Sequence, residues 1–241
     1  MVSYASAGAF FHRYSQKVGG SMNTRFLGDG ALVILYGGSE DLGANRDVQR
    51  DYFILKNEPL PGIKDIVLCF GSIGVYYDPE IVSSEEVCHF LQARLEHPDN
   101  DFRGSVNTVA IPVYYGGKFG PDLDKIAEVL KMSCEEIIEE HSGSEYTVWG
   151  IGFLPGFPYL GRLPAKLAIP RKDTPETKVA AGSVAIAGMQ TGIYPVDSPG
   201  GWHVIGWTPL KMFNLGRPDP CLLKPGDKVK FTRAETPTWT E

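Results

Sequence analysis

The spacing of apolar residues divides the chain into a first part that alternates strands with helices and a second part built of short, turn-broken strands. Ala31 to Tyr36 is an unbroken apolar run between Gly-containing turns, which predicts a buried strand. Residues 45–56 carry Val48, Tyr52, Phe53 and Leu55 in a helical rhythm. Residues 63–70 and 72–77 read as two further strands, punctuated by Gly71 and Gly74. Ser83 with Glu86 three residues later is a capping-box pattern, and Val87, Phe90, Leu91 and Leu95 give that helix an apolar face. This order predicts a small two-layer α+β domain over residues 22–104. Residues 1–21 lack the apolar core of a secretory signal and are expected to be a flexible extension.

Residues 106–115 open a second domain, 105–241, as a strand ending in Gly116-Gly117. Two helices follow as an insertion over about 121–142. Leu123, Ile126, Ala127 and Leu130 face inward on the first; Ser133 and Glu136 form a capping box on the second. Strand-like runs then recur at 146–153, 179–189, 203–213 and 228–231, with no long helix between them, which predicts a β-barrel or sandwich.

The helical pair looks like a helix-turn-helix, but Glu135, Glu136, Glu139 and Glu140 would repel phosphate, so DNA binding is rejected. The net charge of −6 points the same way, away from nucleic acid. No apolar run is long enough to span a membrane, and no basic amphipathic face suits a membrane surface. Four scattered cysteines, without a C-x-x-C pair or a nearby histidine at ligand spacing, read as reduced thiols of a cytoplasmic protein; no metal site is expected.

Familiar catalytic motifs are absent: no phosphate loop, no H-E-x-x-H, no G-x-S-x-G. What stands out instead is residues 150–206, with ten Gly and seven Pro, about 30% against a background near 12%. Glycine lets backbone approach a ligand, and proline holds loops rigid at little entropic cost. Arg171 can fork onto an anion, Gln190, Thr191 and Ser198 can orient polar groups, and Tyr159, Tyr194 and Trp202 can form aromatic walls. Such a mixture suits a pocket for a small polar anion. Tight barrel corners with core-filling aromatics are the alternative for any single Gly or Pro. His141, at the end of an acidic helix, has two readings: a charged group complementing the helix dipole, or a proton carrier.

The blocks GFLPGFPYLG, IPR, AGS, GMQTGIYP and SPGGWHVIGWTPL closely resemble the family of the 5-oxoprolinase B subunit, also called the Kip-inhibitor or allophanate hydrolase subunit 1 family. The resemblance extends upstream through IPVYYGGKFGPDLDKIAEVLKMSCEEIIEEHS and covers about residues 23–233, with departures at Met189, Trp207 and Tyr115. It implies an α+β fold class: a small two-layer domain followed by a cyclophilin-like β-barrel. It also implies one subunit of an ATP-dependent enzyme, inactive alone, that opens the 5-oxoproline lactam to glutamate. The partners implied are the C subunit of 5-oxoprolinase, of related barrel type, with its A subunit. ATP, with Mg, would lie at the subunit interface. Catalytic roles are then expected of His141, Arg171, Gln190 and Ser198. Substrate contacts are expected of Phe157, Tyr159, Gly182, Ser183, Thr191, Tyr194, Gly200, Gly201 and Trp202. Two other branches of the resemblance imply an inhibitor of a sporulation histidine kinase and a carboxyltransferase-like subunit of a urea carboxylase system.

Overall fold

The structure, a computed structural model, describes residues 15–18, 22–38, 41–95 and 106–235. The chain divides into two compact units, Met1–Gly104 and Ser105–Glu241.

The first unit contains β1 (Ser15–Val18), β2 (Met22–Phe26), β3 (Ala31–Leu35), α1 (Leu42–Asn57), β4 (Ile63–Cys69), β5 (Ser72–Tyr77) and α2 (Ser84–Leu95). Its sheet runs β1-β2-β3-β5-β4, antiparallel throughout. Side chains alternate across a strand, so Leu32 and Ile34, Ile66 and Leu68, Ile73 and Val75 share one buried face. Val48 and Leu55 of α1 and Val87 and Leu91 of α2 cover it. Each helix starts where a side chain can satisfy its free N–H groups. Asp41 accepts from Gly43 and Ala44 at the head of α1, which places that start ahead of Asn45. Glu86 and Ser83 exchange bonds at the head of α2. Of residues 1–21, expected to be a flexible extension, only Ser15–Val18 are described; they pair with β2 and so belong to the sheet. The remainder lies outside the described residues.

The second unit is a closed barrel. Its strands are β6 (Thr108–Tyr115), β7 (Glu145–Ile151), β8 (Pro158–Gly161), β10 (Ser183–Ala187), β11 (Gln190–Ile193), β13 (His203–Trp207) and β14 (Lys228–Arg233). They run β7-β14-β6-β13-β10-β11-β8, and β8 pairs back onto β7. Only β14 against β6 is parallel. Outside the barrel, β9 (Glu176–Val179) and β12 (Ser198–Gly200) form a two-stranded ribbon. The insertion folds as α3 (Leu123–Leu130) and α4 (Cys134–Ser142), with Ser133 and Glu136 forming the expected capping box. A Ser133→Ala variant should lose about 1 kcal/mol of stability, read as a lower urea midpoint at unchanged slope.

Strand β10 is buried at every position. Val184 and Ile186 enter the barrel core with Ile111, Ile193, Ile205 and Phe231, while Ala185 and Ala187 pack outward with Phe157, Tyr194 and Trp202. Both faces of that wall are therefore covered, and the outer cover is where the Gly/Pro-rich segment sits. None of the helices among the described residues is long and apolar enough to cross a membrane.

Candidate functional site

The loop between β7 and β8 closes on itself through Gly152 N–H to Phe157 O (3.1 Å) and Phe157 N–H to Leu154 O (3.0 Å). It leaves Phe153 exposed and drives Phe157 inward. Phe157 is the hub of an aromatic cluster: its ring centroid lies 5.0 Å from Tyr159, 5.2 Å from Tyr194 and 5.5 Å from Trp202. Tyr194 and Trp202 meet it nearly edge-on, the arrangement that ring quadrupoles favour. Glycines make this packing possible. A Cβ on Gly192 would stand 2.9 Å from the Phe157 ring, and one on Gly200 would collide with the Tyr194 hydroxyl. The glycine density thus serves close aromatic packing.

These rings open on a cleft of about 160 Å³ lined by Phe153, Phe157, Tyr159, Tyr194 and Trp202, with Arg171 and Lys172 at its rim. The Arg171 guanidinium carbon lies 6.0 Å from the Trp202 ring centroid, within cation–π range. Among the described residues Arg171 makes no ion pair, whereas its neighbour Lys172 makes two. Lys172 is engaged differently. Its ammonium contacts Asp122 at 2.7 Å and Glu176 at 3.2 Å. Burial alone would lower its pKa, but those two bonds outweigh it and hold the value above the ordinary lysine range. It stays charged.

Lys172 also borders a second, larger groove of about 540 Å³, which includes Lys118, Phe119, Lys178, Ser183 and Trp207. There Phe119 and Trp207 lie 5.7 Å apart in a stacked arrangement, with Tyr114 stacked on Trp207 at 6.1 Å. The Lys118 ammonium sits 5.4 Å above Phe119.

Six of the sequence-predicted residues therefore meet at the small cleft: Phe157, Tyr159, Arg171, Tyr194, Gly201 and Trp202. Ser183 lines the larger groove instead. The others are placed elsewhere, for identifiable reasons. Gly182, at φ +85°, donates to Tyr194 O (2.7 Å) and accepts from Thr208 N–H (2.9 Å), and Ser183 N–H donates to Ala180 O (3.1 Å). Those amides cannot stabilise a developing charge, because strand connections already hold them. Gly200 lies in the ribbon against Tyr194 rather than at the cleft. Gln190 starts β11 and lines neither cavity. The Ser198 hydroxyl is buried in the ribbon with no partner among the described residues.

His141 is corrected most. It does sit in the last turn of α4, but fully buried and stacked on Phe231 at 4.5 Å, so it is not a charged group complementing the helix dipole. Thr191 donates to Ala185 O (3.0 Å), so its oxygen accepts from His141 Nε2–H (2.9 Å), and Nδ1 then accepts from Tyr115 O–H (2.7 Å). Burial pushes the imidazole pKa down to about 3. His141 and Thr191 hold a neutral internal network across the barrel and do not reach the cleft. Sequence reasoning missed Phe153, Asp122 and Lys172. A signal was present in the charged run Arg171-Lys172-Asp173 within an otherwise Gly/Pro-rich segment.

Residues 22–223 match the family model described as carboxyltransferase domain, subdomain C and D. The chain is 41% identical over 217 residues to the B subunit of 5-oxoprolinase from Bacillus subtilis, covering 86% of this chain and 90% of that protein. Among solved structures it is similar to TTHA0988, with a TM-score of 0.78 and 35% identity over 90% of this chain. It spans 41% of the TTHA0988 chain. The Kluyveromyces lactis urea amidolyase shares the fold, with a TM-score of 0.70 at 19% identity, covering 92% of this chain and 15% of that one.

Proposed function

We propose that this chain, which belongs to the carboxyltransferase subdomain C and D family and, within it, groups with the 5-oxoprolinase B subunit, is part of an ATP-dependent 5-oxoprolinase that opens the lactam to L-glutamate. The observation that carries the reading is Arg171, a guanidinium with no carboxylate partner among the described residues, laid over Trp202 at an aromatic cleft of about 160 Å³. Ligand pockets for drug-sized molecules run from about 300 Å³ upward, so this cleft suits a small ring bearing one carboxylate. Arg171 would take the carboxylate as a fork. Trp202, Tyr159 and Phe157 would clasp the ring faces and exclude water.

A lactam amide is a poor electrophile, and ATP, when bound, would supply the phosphoryl group that activates its carbonyl oxygen. The adjoining groove has the residues to receive such a co-substrate: Phe119 and Trp207 as a stacking plate, Lys118 for phosphate. Among the described residues no cluster of three acidic, His or Cys side chains could cage a metal ion, so Mg would be held by the phosphates and a partner. Lys172, shared by both cavities, keeps its charge beside the place where the two reactants would meet. With the amides of Gly182 and Ser183, expected as substrate contacts, already engaged, the remaining groups would come from the C subunit in a composite site, and the A subunit would make the enzyme whole. The chain alone would then be inactive.

The test is reconstitution. The three subunits together should release glutamate from 5-oxoproline with ATP, and omission of this chain should stop it; full turnover without it would overturn the reading. A second reading, a carboxyltransferase-like subunit, is favoured by the description of the matched family model. It would be adopted if carboxybiotin turnover, rather than 5-oxoproline turnover, depended on the complex.

A further inference from the structure

Asp122 occupies the N-cap position of α3, yet its side chain makes no cap bond. Aspartate is favoured there because it satisfies the free amides of the first turn. Here the carboxylate turns away. Its Oδ2 accepts from Val204 N–H and from the Lys172 ammonium, each at 2.7 Å, while Asp122 N–H donates to Val204 O at 3.1 Å. The side chains of Asp122 and Lys172 are 14% and 12% exposed, so the pair is largely desolvated, a placement that adds little stability by itself.

Two further bonds join the same segments. His203 Nε2–H donates to Pro170 O at 2.9 Å, and Lys172 N–H donates to Gly201 O at 2.8 Å. Arg171 is therefore flanked on both sides by tethered residues, Pro170 and Lys172. Trp202 is flanked likewise by Gly201 and His203. The residues of the two segments that meet through a cation–π contact are the pair held between the tethers.

We propose that Asp122 and Lys172 are positioning residues: their ion pair latches segment 170–172 to segment 201–204 and thereby fixes the Arg171 guanidinium over Trp202 as the anion-binding rim of the cleft. Removing the ammonium would leave those two hydrogen bonds and take away the charged tether, so the Arg171 segment would be held less firmly against Trp202. The geometry stands whatever the cleft binds; only the kinetic consequence rests on the proposed 5-oxoprolinase function. A conservative Lys172→Arg change keeps a cation opposite Asp122. Lys172→Met keeps length without charge. Asp122→Asn keeps an acceptor for Val204 N–H and loses the charge that ties Lys172 to the Val204 segment, leaving Lys172 paired with the more exposed Glu176 at 3.2 Å.

The experiment uses the full chain labelled with 5-fluorotryptophan, its Trp202 fluorine signal assigned with Trp202→Phe. Arg171→Ala should move that signal, and Lys172→Met and Asp122→Asn should move it the same way, while Lys172→Arg returns it towards its original position. A Trp202 signal left in place by both Lys172→Met and Asp122→Asn, in variants that melt as the parent does, overturns the latch. If Lys172→Met does not fold, Asp122→Asn decides by the same criterion. In the assembled enzyme, Lys172→Met should raise KM for 5-oxoproline about tenfold and change kcat far less, the signature of lost ground-state positioning; an unchanged KM overturns the latch's part in binding. Absence of turnover in the unaltered complex is a separate result, and it counts against the proposed function alone.

Discussion

If the chain works as proposed, Arg171→Ala in the assembled enzyme should lower kcat/KM for 5-oxoproline by about two to three orders of magnitude while the complex still forms. The size follows from what the guanidinium would supply. A hydrogen bond to a charged group contributes about 1.5–3 kcal/mol, and a guanidinium fork makes two of them to one carboxylate. A loss of about 3–4 kcal/mol is a factor of about 10² to 10³. Folding should be nearly untouched, since Arg171 is exposed and makes no ion pair among the described residues. Arg171→Lys should recover only part of the loss, because an ammonium offers neither the planar fork nor the same stacking on Trp202. Steady-state kinetics, with size-exclusion chromatography to verify assembly, measure both. A change of less than about threefold in kcat/KM for Arg171→Ala would remove this residue from the site.

Acid destabilises the barrel unit, and His141 sets the upper part of that limb. In the folded chain its imidazole is neutral, with a pKa pushed down to about 3 by burial against an ordinary 6.5. Below pH 6.5 the unfolded chain takes up a proton that the folded chain refuses, so each step towards pH 3 favours unfolding. The contribution is fully present above pH 6.5 and is lost at about 1.4 kcal/mol per pH unit on the way down. In the barrel unit Glu136 and Asp197 are held below the usual carboxylate range by hydrogen bonds from the Ser133 and Ala181 amides, and in the first unit Asp78 and Glu86 are held down by Lys64 and Ser83. They add to the acid loss only further down, so the interval from pH 6.5 to about 4.5 isolates the histidine. Urea unfolding across that interval should show the one-proton slope in the parent and not in His141→Gln. That variant should also start about 1–3 kcal/mol less stable, because Tyr115 or Thr191 loses its buried partner. Equal slopes in the two proteins would show that His141 is not the group responsible.

Much of the fold was legible because its signals are local. The capping box at Ser133 and Glu136, and the one at Ser83 and Glu86, involve residues three apart, whose contact is guaranteed once a helix forms. The run from Ala31 is read as a buried strand because both of its neighbours are turns. Strands β8 and β11 escaped notice for the opposite reason. Pro158, Gly161 and Gly192 look like turn residues, yet each is accommodated by a specific neighbour in the closed barrel. Only closure explains why a four-residue segment with a proline is a strand at all.

The cleft divides in the same way. Aromatic and cationic residue types concentrated in a Gly/Pro-rich segment were enough to single out Arg171, Phe157, Tyr159, Tyr194 and Trp202, because such a composition serves few purposes besides tight packing and ligand approach. The amides of Gly182 and Ser183, and the side chains of His141 and Thr191, look equally available in a linear chain. Whether a donor is free depends on which acceptor lies opposite it, and that acceptor can come from another strand: Tyr194 O for Gly182, Thr191 Oγ1 for His141. Asp122 carries the point furthest. Its place before an apolar helix marks it as a cap, but Val204 and Lys172, 82 and 50 positions further along, take its carboxylate instead. By itself the sequence determined the helices, the longer strands, the two-part organisation and the segment that holds the cleft, since these follow from short-range periodicity and composition. Only the tertiary structure decided which polar groups of that segment remain free, since a hydrogen bond between distant strands exists only once the barrel has closed.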